Sequence, residues 1–190
     1  MDTSYIINHL GEERETYFNA VSPPIFQSSN FAFPTVAALK AAISDEFRAS
    51  VYTRGNNPTV AILRKKLAAL EGTEDALVFA SGVAAVSAAI ISQVKAGDHI
   101  ICVKNPYVWT ERLLNDSLAR FGVKTTMVDG TNPENFEKAI QPNTQLIMLE
   151  SPNSLNFDLQ GVEAIATLAR KHNITTCLLY TSPSPRDAIP

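Results

Sequence analysis

Two rhythms of apolar positions alternate along the chain. From about Asn57 onward, short β-rich apolar runs are separated by segments in which hydrophobic residues return every three or four positions. That alternation predicts a parallel sheet with crossover helices. Helical spacing is clearest in NPTVAILRKKLAALEG, where Asn57 can cap, Pro58 suits the first turn, Val60, Leu63, Leu67 and Leu70 make one apolar face, and Gly72 ends the run. Strands are expected at 76–80, 99–103, 124–128, 145–150 and about 174–177, with helices near 83–94, 110–121, 133–140 and 162–171. The first fifty residues, with SPPIFQSSNFAFP, read as an extended arm leading into a short helix around 36–47.

The final stretch, CLLYTSPSPRDAIP, breaks the rhythm, because Ser-Pro-Ser-Pro cannot continue a central strand. CLLYTSPSPRD resembles one reading frame of a transposase adapter used in sequencing libraries. The expected division is an N-terminal arm and short helix over 1–50, a partial α/β domain over 51–176 and an artefactual tail over 177–190. From Leu178 onward the tail is expected to join neither the sheet nor a core.

Composition narrows the class. A chain of 190 residues, 45% hydrophobic, with a formal net charge of -3, fits one globular domain. Lysine and arginine are scattered, Arg64-Lys65-Lys66 reads as a solvated helix face, and no nucleic-acid partner is indicated. The two cysteines, Cys102 and Cys177, exclude a disulfide framework and point to a reducing compartment. MDTSYIINHL lacks a basic start to a secretory signal, and the apolar run Ala76 to Val94 is broken by Ser81, Gly82, Ser87 and Ser92. It reads as a strand and a buried helix rather than a membrane span, so a cytoplasmic protein is expected.

Candidate chemistry gathers at strand ends. ALVFASGVAAV places Ser81-Gly82-Val83 between a strand and a helix, where free N–H groups and the helix dipole suit a phosphate. The spacing matches neither the P-loop nor GxGxxG, and a glycine needed only for strand–helix packing is the bland alternative. In VKNPYVWTERLL, Tyr107 follows the next strand and can stack on a planar ligand, whereas Trp109 reads as a core aromatic covering the sheet edge. LESPNSLN brings Glu150, Ser151, Asn153, Ser154 and Asn156 to the same edge, where open α/β sheets bind ligands. VYTRGNNPTV sets Tyr52 and Arg54 just before a capped helix, as a surface loop or as a ligand-binding segment. His9, His99 and His172 are far apart and read as surface or strand-end residues, so no metal site is expected. Ser81 lacks the GxSxG setting of a hydrolase nucleophile.

Five collinear segments, SPPIFQSSNFAF, YTRGNNPT, VFASGVAAV, AGDHIICVKNPY and LESPNS, together resemble the pyridoxal-phosphate enzymes of cysteine and methionine metabolism. The resemblance runs from about His9 to Thr176. It implies an α/β three-layer sandwich with a mostly parallel sheet, the N-terminal part of a fold-type I large domain. It also implies that Tyr52 and Arg54 bind the cofactor phosphate of a neighbouring subunit, that Gly82 and the N–H of Val83 hold the phosphate in their own subunit, and that Tyr107 stacks on the pyridine ring. An arginine fork suits such a dianion better than a lysine. The family chemistry is elimination or replacement at the β or γ carbon of a sulfur amino acid or activated homoserine, in a homo-oligomer, either dimer or tetramer.

Departures from the family pattern leave the subfamily open. Val83 replaces a frequent methionine, Val108-Trp109 replaces Gly-Gly, and Ser154 and Leu155 stand where Asn-Pro is common. The Schiff-base lysine of the family has an S-x-T-K setting, and no lysine of this sequence has one, so no catalytic residue is assigned and the chain alone is expected to be inactive. Cystathionine synthases and lyases, methionine γ-lyases and O-acylhomoserine sulfhydrylases all remain candidates. So do a non-catalytic phosphate-binding module and a regulatory partner lending Tyr52 and Arg54. A dinucleotide-binding domain is disfavoured by the absence of a glycine-rich first turn.

Overall fold

A computed structural model describes residues 1–180, which fall in two compact units divided after Val78. In the first unit, α1 (Thr3–Asn8) is capped by Asp2, whose carboxylate accepts the Tyr5 N–H at 3.2 Å, and a 3₁₀ turn spans Arg14–Tyr17. The expected extended arm is therefore partly helical, started by a capping carboxylate that a scan for apolar periodicity passes over. Helix α2 (Val36–Ile43) is shorter than expected, because the Ser44 hydroxyl turns back onto the Ala41 carbonyl at 2.7 Å. Helix α3 (Pro58–Glu71) has the expected signals: Asn57 accepts the Thr59 N–H at 2.9 Å, Pro58 opens the helix, and Gly72 closes it at a φ of 66°.

One expectation for α3 fails, and its apolar face is only partly covered. Val60 is 40% and Leu63 44% exposed, and Ala68 is the only buried apolar residue of the helix. The basic trio, in turn, is not a solvated face. Lys66 reaches Glu12 at 2.6 Å, Lys65 reaches Glu13 at 3.2 Å, and Arg64 pairs with Asp75 while donating to the Ala76 carbonyl at 2.7 Å. Acids from distant parts of the sequence are brought to these cations, and the Lys66 hydrogen bond holds the Glu12 carboxyl below its ordinary range.

The strand expected at 76–80 does not form. No strand lies beside it among the described residues, and Leu77 is 61% exposed. β-propensity describes a fit to a pleated, half-buried surface, and here that surface is missing.

The second unit runs through α4 (Gly82–Ile91), β1 (His99–Val103), α5 (Val108–Arg112), β2 (Lys124–Val128), α6 (Pro133–Ala139), β3 (Thr144–Glu150), α7 (Val162–Lys171) and β4 (Thr175–Leu179). α5 continues through a wider π turn at Leu113–Leu118 and a 3₁₀ turn at Ala119–Phe121, so helical structure starts two residues before the expected 110. The strands form one parallel sheet in the order β2-β1-β3-β4. All five residues of β1 are buried, so both faces are covered, as parallel sheets require. Ile90, Ile101, Leu114, Phe136, Ile147 and Ile165 are completely buried in this core.

Strand β4 extends past Cys177, with Leu178 beside Leu149 and Leu179 beside Glu150. That corrects the expected boundary: two leucines next to a ready ladder join it, whatever follows. The Ser-Pro-Ser-Pro segment lies outside the described residues.

His99 is the first residue of β1, the strand-end position expected of it, and it is buried there, 1% exposed. Its Nδ1 meets the Thr144 hydroxyl and its Nε2 the Thr126 hydroxyl, both at 2.8 Å, so the ring links three strands. Those hydroxyls supply the polar partners that make burial tolerable. Among the described residues no helix is long and apolar enough to cross a membrane.

Candidate functional site

The candidate site residues of the second unit gather at the carboxyl edge of the sheet, beginning at the start of α4. Ser81 is in an extended conformation and its hydroxyl accepts the Ala84 N–H at 3.2 Å. Gly82 and Val83, the next two residues, have no carbonyl one turn behind them inside the helix, so their N–H groups remain open to an acceptor. A Cβ placed on Gly82 would meet nothing within 4 Å. Open space, two free donors and the positive end of a ten-residue helix together suit a phosphate.

Tyr107 lies at the N-cap of α5, just beyond β1. Val83, Val86 and Ser87 of α4 face Tyr107, Trp109 and Thr110 across a narrow cleft. The structure thus brings Val83 and Tyr107 together at one edge of the sheet, with Gly82 one residue away at the same helix start. Trp109 is 49% exposed with the Arg112 guanidinium 5.2 Å from its ring centre, which corrects its reading as a core aromatic. A half-exposed indole over a cation needs no burial to be ordered. The Thr110 hydroxyl in the same cleft is buried without a hydrogen-bond partner.

The loop after β3 is built around Glu150, which is fully buried. Its Oε2 accepts the Tyr107 N–H at 2.6 Å and its Oε1 the Ser154 N–H at 2.7 Å. Asn153 donates to the Lys104 carbonyl at 3.1 Å, so the loops after β1 and β3 are stitched twice. Beside them a polar cavity of about 180 Å³ is lined by Lys104, Asp129, Thr131, Asn156 and Asp158, among others. Hydrogen bonds from the Thr131 hydroxyl and N–H hold the Asp129 carboxyl below its usual range. The sequence places Glu150 at this edge without assigning it a task; the signal is an acid closing an otherwise apolar strand, QLIMLE.

Tyr52 and Arg54 belong to the first unit, where the Arg54 guanidinium carbon sits 5.1 Å from the centre of the Tyr52 ring. Tyr52 bridges Asn30 in antiparallel fashion, the Thr53 N–H donates to the Ser29 carbonyl at 3.0 Å, and a turn from the Tyr52 carbonyl to the Gly55 N–H at 2.9 Å follows. The backbone of this segment is thereby fixed while both side chains stay exposed. Burial raises the Cys102 and Cys177 thiol pKa values, which disfavours the reactive thiolate form at both.

These features define an α/β protein with a parallel sheet, and its likeness to solved structures makes it the N-terminal part of a fold-type I large domain. A crystal structure from Campylobacter jejuni, described as an O-acetylhomoserine (thiol)-lyase and holding a pyridoxyl-lysine monophosphate, matches with a TM-score of 0.90 at 27% identity, over 98% of this chain and 46% of its own. The model of the Cys/Met metabolism PLP-dependent enzymes matches residues 2–188, and the chain belongs to that family. Among curated relatives, an L-methionine gamma-lyase of Treponema denticola is 40% identical over 87% of this chain and 41% of its own length. A cystathionine beta-lyase, MetC of Staphylococcus haemolyticus, is 35% identical over 92% and 42%. The chain therefore spans less than half the length of these relatives.

Proposed function

We propose that this chain is the N-terminal, cofactor-binding part of a pyridoxal-phosphate enzyme that acts on a sulfur amino acid or activated homoserine by elimination or replacement at the β or γ carbon. Cystathionine synthase or lyase, methionine γ-lyase and O-acylhomoserine sulfhydrylase activities all lie within this reading. The observation that carries it is the pair of open N–H groups at Gly82 and Val83 beside Tyr107, on one edge of a parallel sheet. The donors fit a phosphate and the aromatic fits a planar ring. When bound, pyridoxal phosphate supplies the electron sink for the bond-breaking step. Gly82 and Val83 anchor its phosphate, Tyr107 holds its ring against the sheet edge, and Tyr52 with Arg54 reaches the phosphate of a neighbouring copy in a homo-oligomer. The setting is cytoplasmic. The 190-residue chain alone does not turn over, because none of its lysines has the S-x-T-K setting.

Trp109, the only tryptophan, lies two residues beyond Tyr107 and reports on the site by its fluorescence. Pyridoxal phosphate is expected to quench it saturably, and pyridoxal, which lacks the phosphate, only weakly. Gly82→Pro removes one donor while suiting the first helical position, since Ser81 already has the extended backbone that precedes proline. It should weaken pyridoxal phosphate binding without unfolding the chain. Equal quenching by both ligands, unaffected by the proline, would sink the phosphate site. Release of an α-keto acid from cystathionine or methionine by the 190-residue chain would overturn its inactivity.

A further inference from the structure

Glu150 is 0% exposed, and no ion pair reaches it among the described residues. A buried carboxylate is costly unless hydrogen bonds replace its water. Its two oxygens are committed to two different loops: Oε2 to the Tyr107 N–H at 2.6 Å, beyond β1, and Oε1 to the Ser154 N–H at 2.7 Å, beyond β3. Its own N–H donates to Gln160 at 3.2 Å, which fixes the base of the side chain. Packing alone would be served by leucine or methionine of similar volume; what needs an anion here is the pair of inward-pointing N–H groups. Charge-assisted bonds of this kind are shorter and stronger than those between neutral groups. Tyr107 makes no side-chain cap as α5 begins; its carbonyl accepts the Thr110 N–H at 2.8 Å and the Glu111 N–H at 3.1 Å, so α5 holds one end of the residue and Glu150 holds its N–H, and the two together fix the backbone from which the ring leaves.

We propose that Glu150 is the positioning residue of the aromatic platform: it touches no ligand, but sets the angle of the Tyr107 ring and ties the Ser154 loop to it. This rests on the reading of Tyr107 as the stacking residue for pyridoxal phosphate.

The test uses the 190-residue chain with Glu150→Gln, which keeps the volume but leaves one oxygen for two N–H groups and turns an amide NH2 toward the other. Hydrogen exchange at Tyr107 or Ser154 should accelerate about 10- to 100-fold, the loss expected for one charged hydrogen bond. NMR contacts between the Tyr107 ring and the Val83 and Val86 methyls should weaken. Pyridoxal phosphate affinity, read from Trp109 quenching, should fall by a similar factor. In a Tyr107→Ala background the same substitution should cost no further affinity, a coupling that a general loss of stability would not produce. If Glu150→Gln fails to fold, Glu150→Asp, which keeps the charge on a shorter arm, carries the same cycle. A penalty that persists in full without the Tyr107 ring overturns the proposal, as do unchanged exchange and ring contacts in a folded variant. Should the amides respond while no form of the chain binds pyridoxal phosphate, the hold on Tyr107 stands and the cofactor reading fails.

Discussion

The two units bury their apolar residues very differently. In residues 1–78 only Ile6 and Ala68 are buried apolar residues, whereas the second unit gathers Ile90, Ile100, Ile101, Phe136, Ile147, Ile165 and others in one continuous core. The first unit is held instead by polar fastenings: Lys66 to Glu12, Arg64 to Asp75, and Asn57 to the Phe26 carbonyl at 2.9 Å. A parallel sheet must be covered on both faces, so it collects a core as it forms. Paired charges can order an arm, but they contribute little net stability. Stability in this chain should therefore reside in the sheet, while the Tyr52 and Arg54 segment is ordered by backbone pairing with Ser29 and Asn30.

The contrast predicts its largest effect at Ile147. This residue is 0% exposed at the centre of β3, between β1 and β4, and Ile147→Ala should cost about 2–5 kcal/mol of unfolding free energy. Urea denaturation followed by far-ultraviolet circular dichroism measures it; a loss well under 1 kcal/mol would mean that the sheet is not where the stability lies. A smaller loss is expected at Gly130, just past β2. A Cβ there would meet Gln160 Cγ at 2.8 Å and Val103 Cγ1 at 2.9 Å, and Val103 is 1% exposed with no room to yield. Gly130→Ala should cost about 1–3 kcal/mol by overpacking, read as a lowered urea midpoint with an unchanged slope. Its effect on the second unit should exceed that of any single charge removal in the first.

Features set by neighbours in sequence were legible, and those set by neighbours in space were not. Helix α3 has its cap, its proline and its closing glycine within sixteen residues, so it could be read directly from NPTVAILRKKLAALEG. Strands β1 and β3 showed as apolar runs because they are buried on both faces. The run at 76–80 carries an equally strong strand pattern and fails for want of a ladder partner, which composition cannot reveal. The same holds for polar residues. Gly82 at a helix start follows from a local pattern, but that His99 would be buried depends on Thr126 and Thr144, and that Glu150 would hold Tyr107 depends on two strands lying side by side.

Acid should separate the units by window. Burial keeps the folded His99 ring below its ordinary pKa of 6.5, so the unfolded chain takes up a proton there more readily than the folded one. The contribution of His99 is complete above 6.5 and declines as the pH falls from 6.5 toward the lowered folded value. Glu12 in the first unit is shifted down from 4.5 by its hydrogen bond to Lys66, so its contribution is complete above 4.5 and is lost as the pH falls through the folded value. Urea midpoints between pH 7.5 and 5.5, about one unit either side of the histidine reference, should fall in the wild type and stay level in His99→Asn. A slope that survives the substitution would assign the effect to another group.

The smallest effect is expected at Leu63, and it is the sharpest probe of the contrast. The side chain repeats along α3 with Val60, Leu67 and Leu70 as core positions do, yet it is 44% exposed. If α3 is ordered by its caps and its charged fastenings, as the first unit implies, truncating Leu63 removes little buried surface. Leu63→Ala should then shift stability by less than about 0.5 kcal/mol, the usual range for surface positions. A cost approaching that of Ile147→Ala would mean that this face is covered in solution. The same denaturation repeated over a hundredfold range of protein concentration then identifies the cover: a midpoint that rises with concentration assigns it to a second copy of the chain, because association stabilises by mass action.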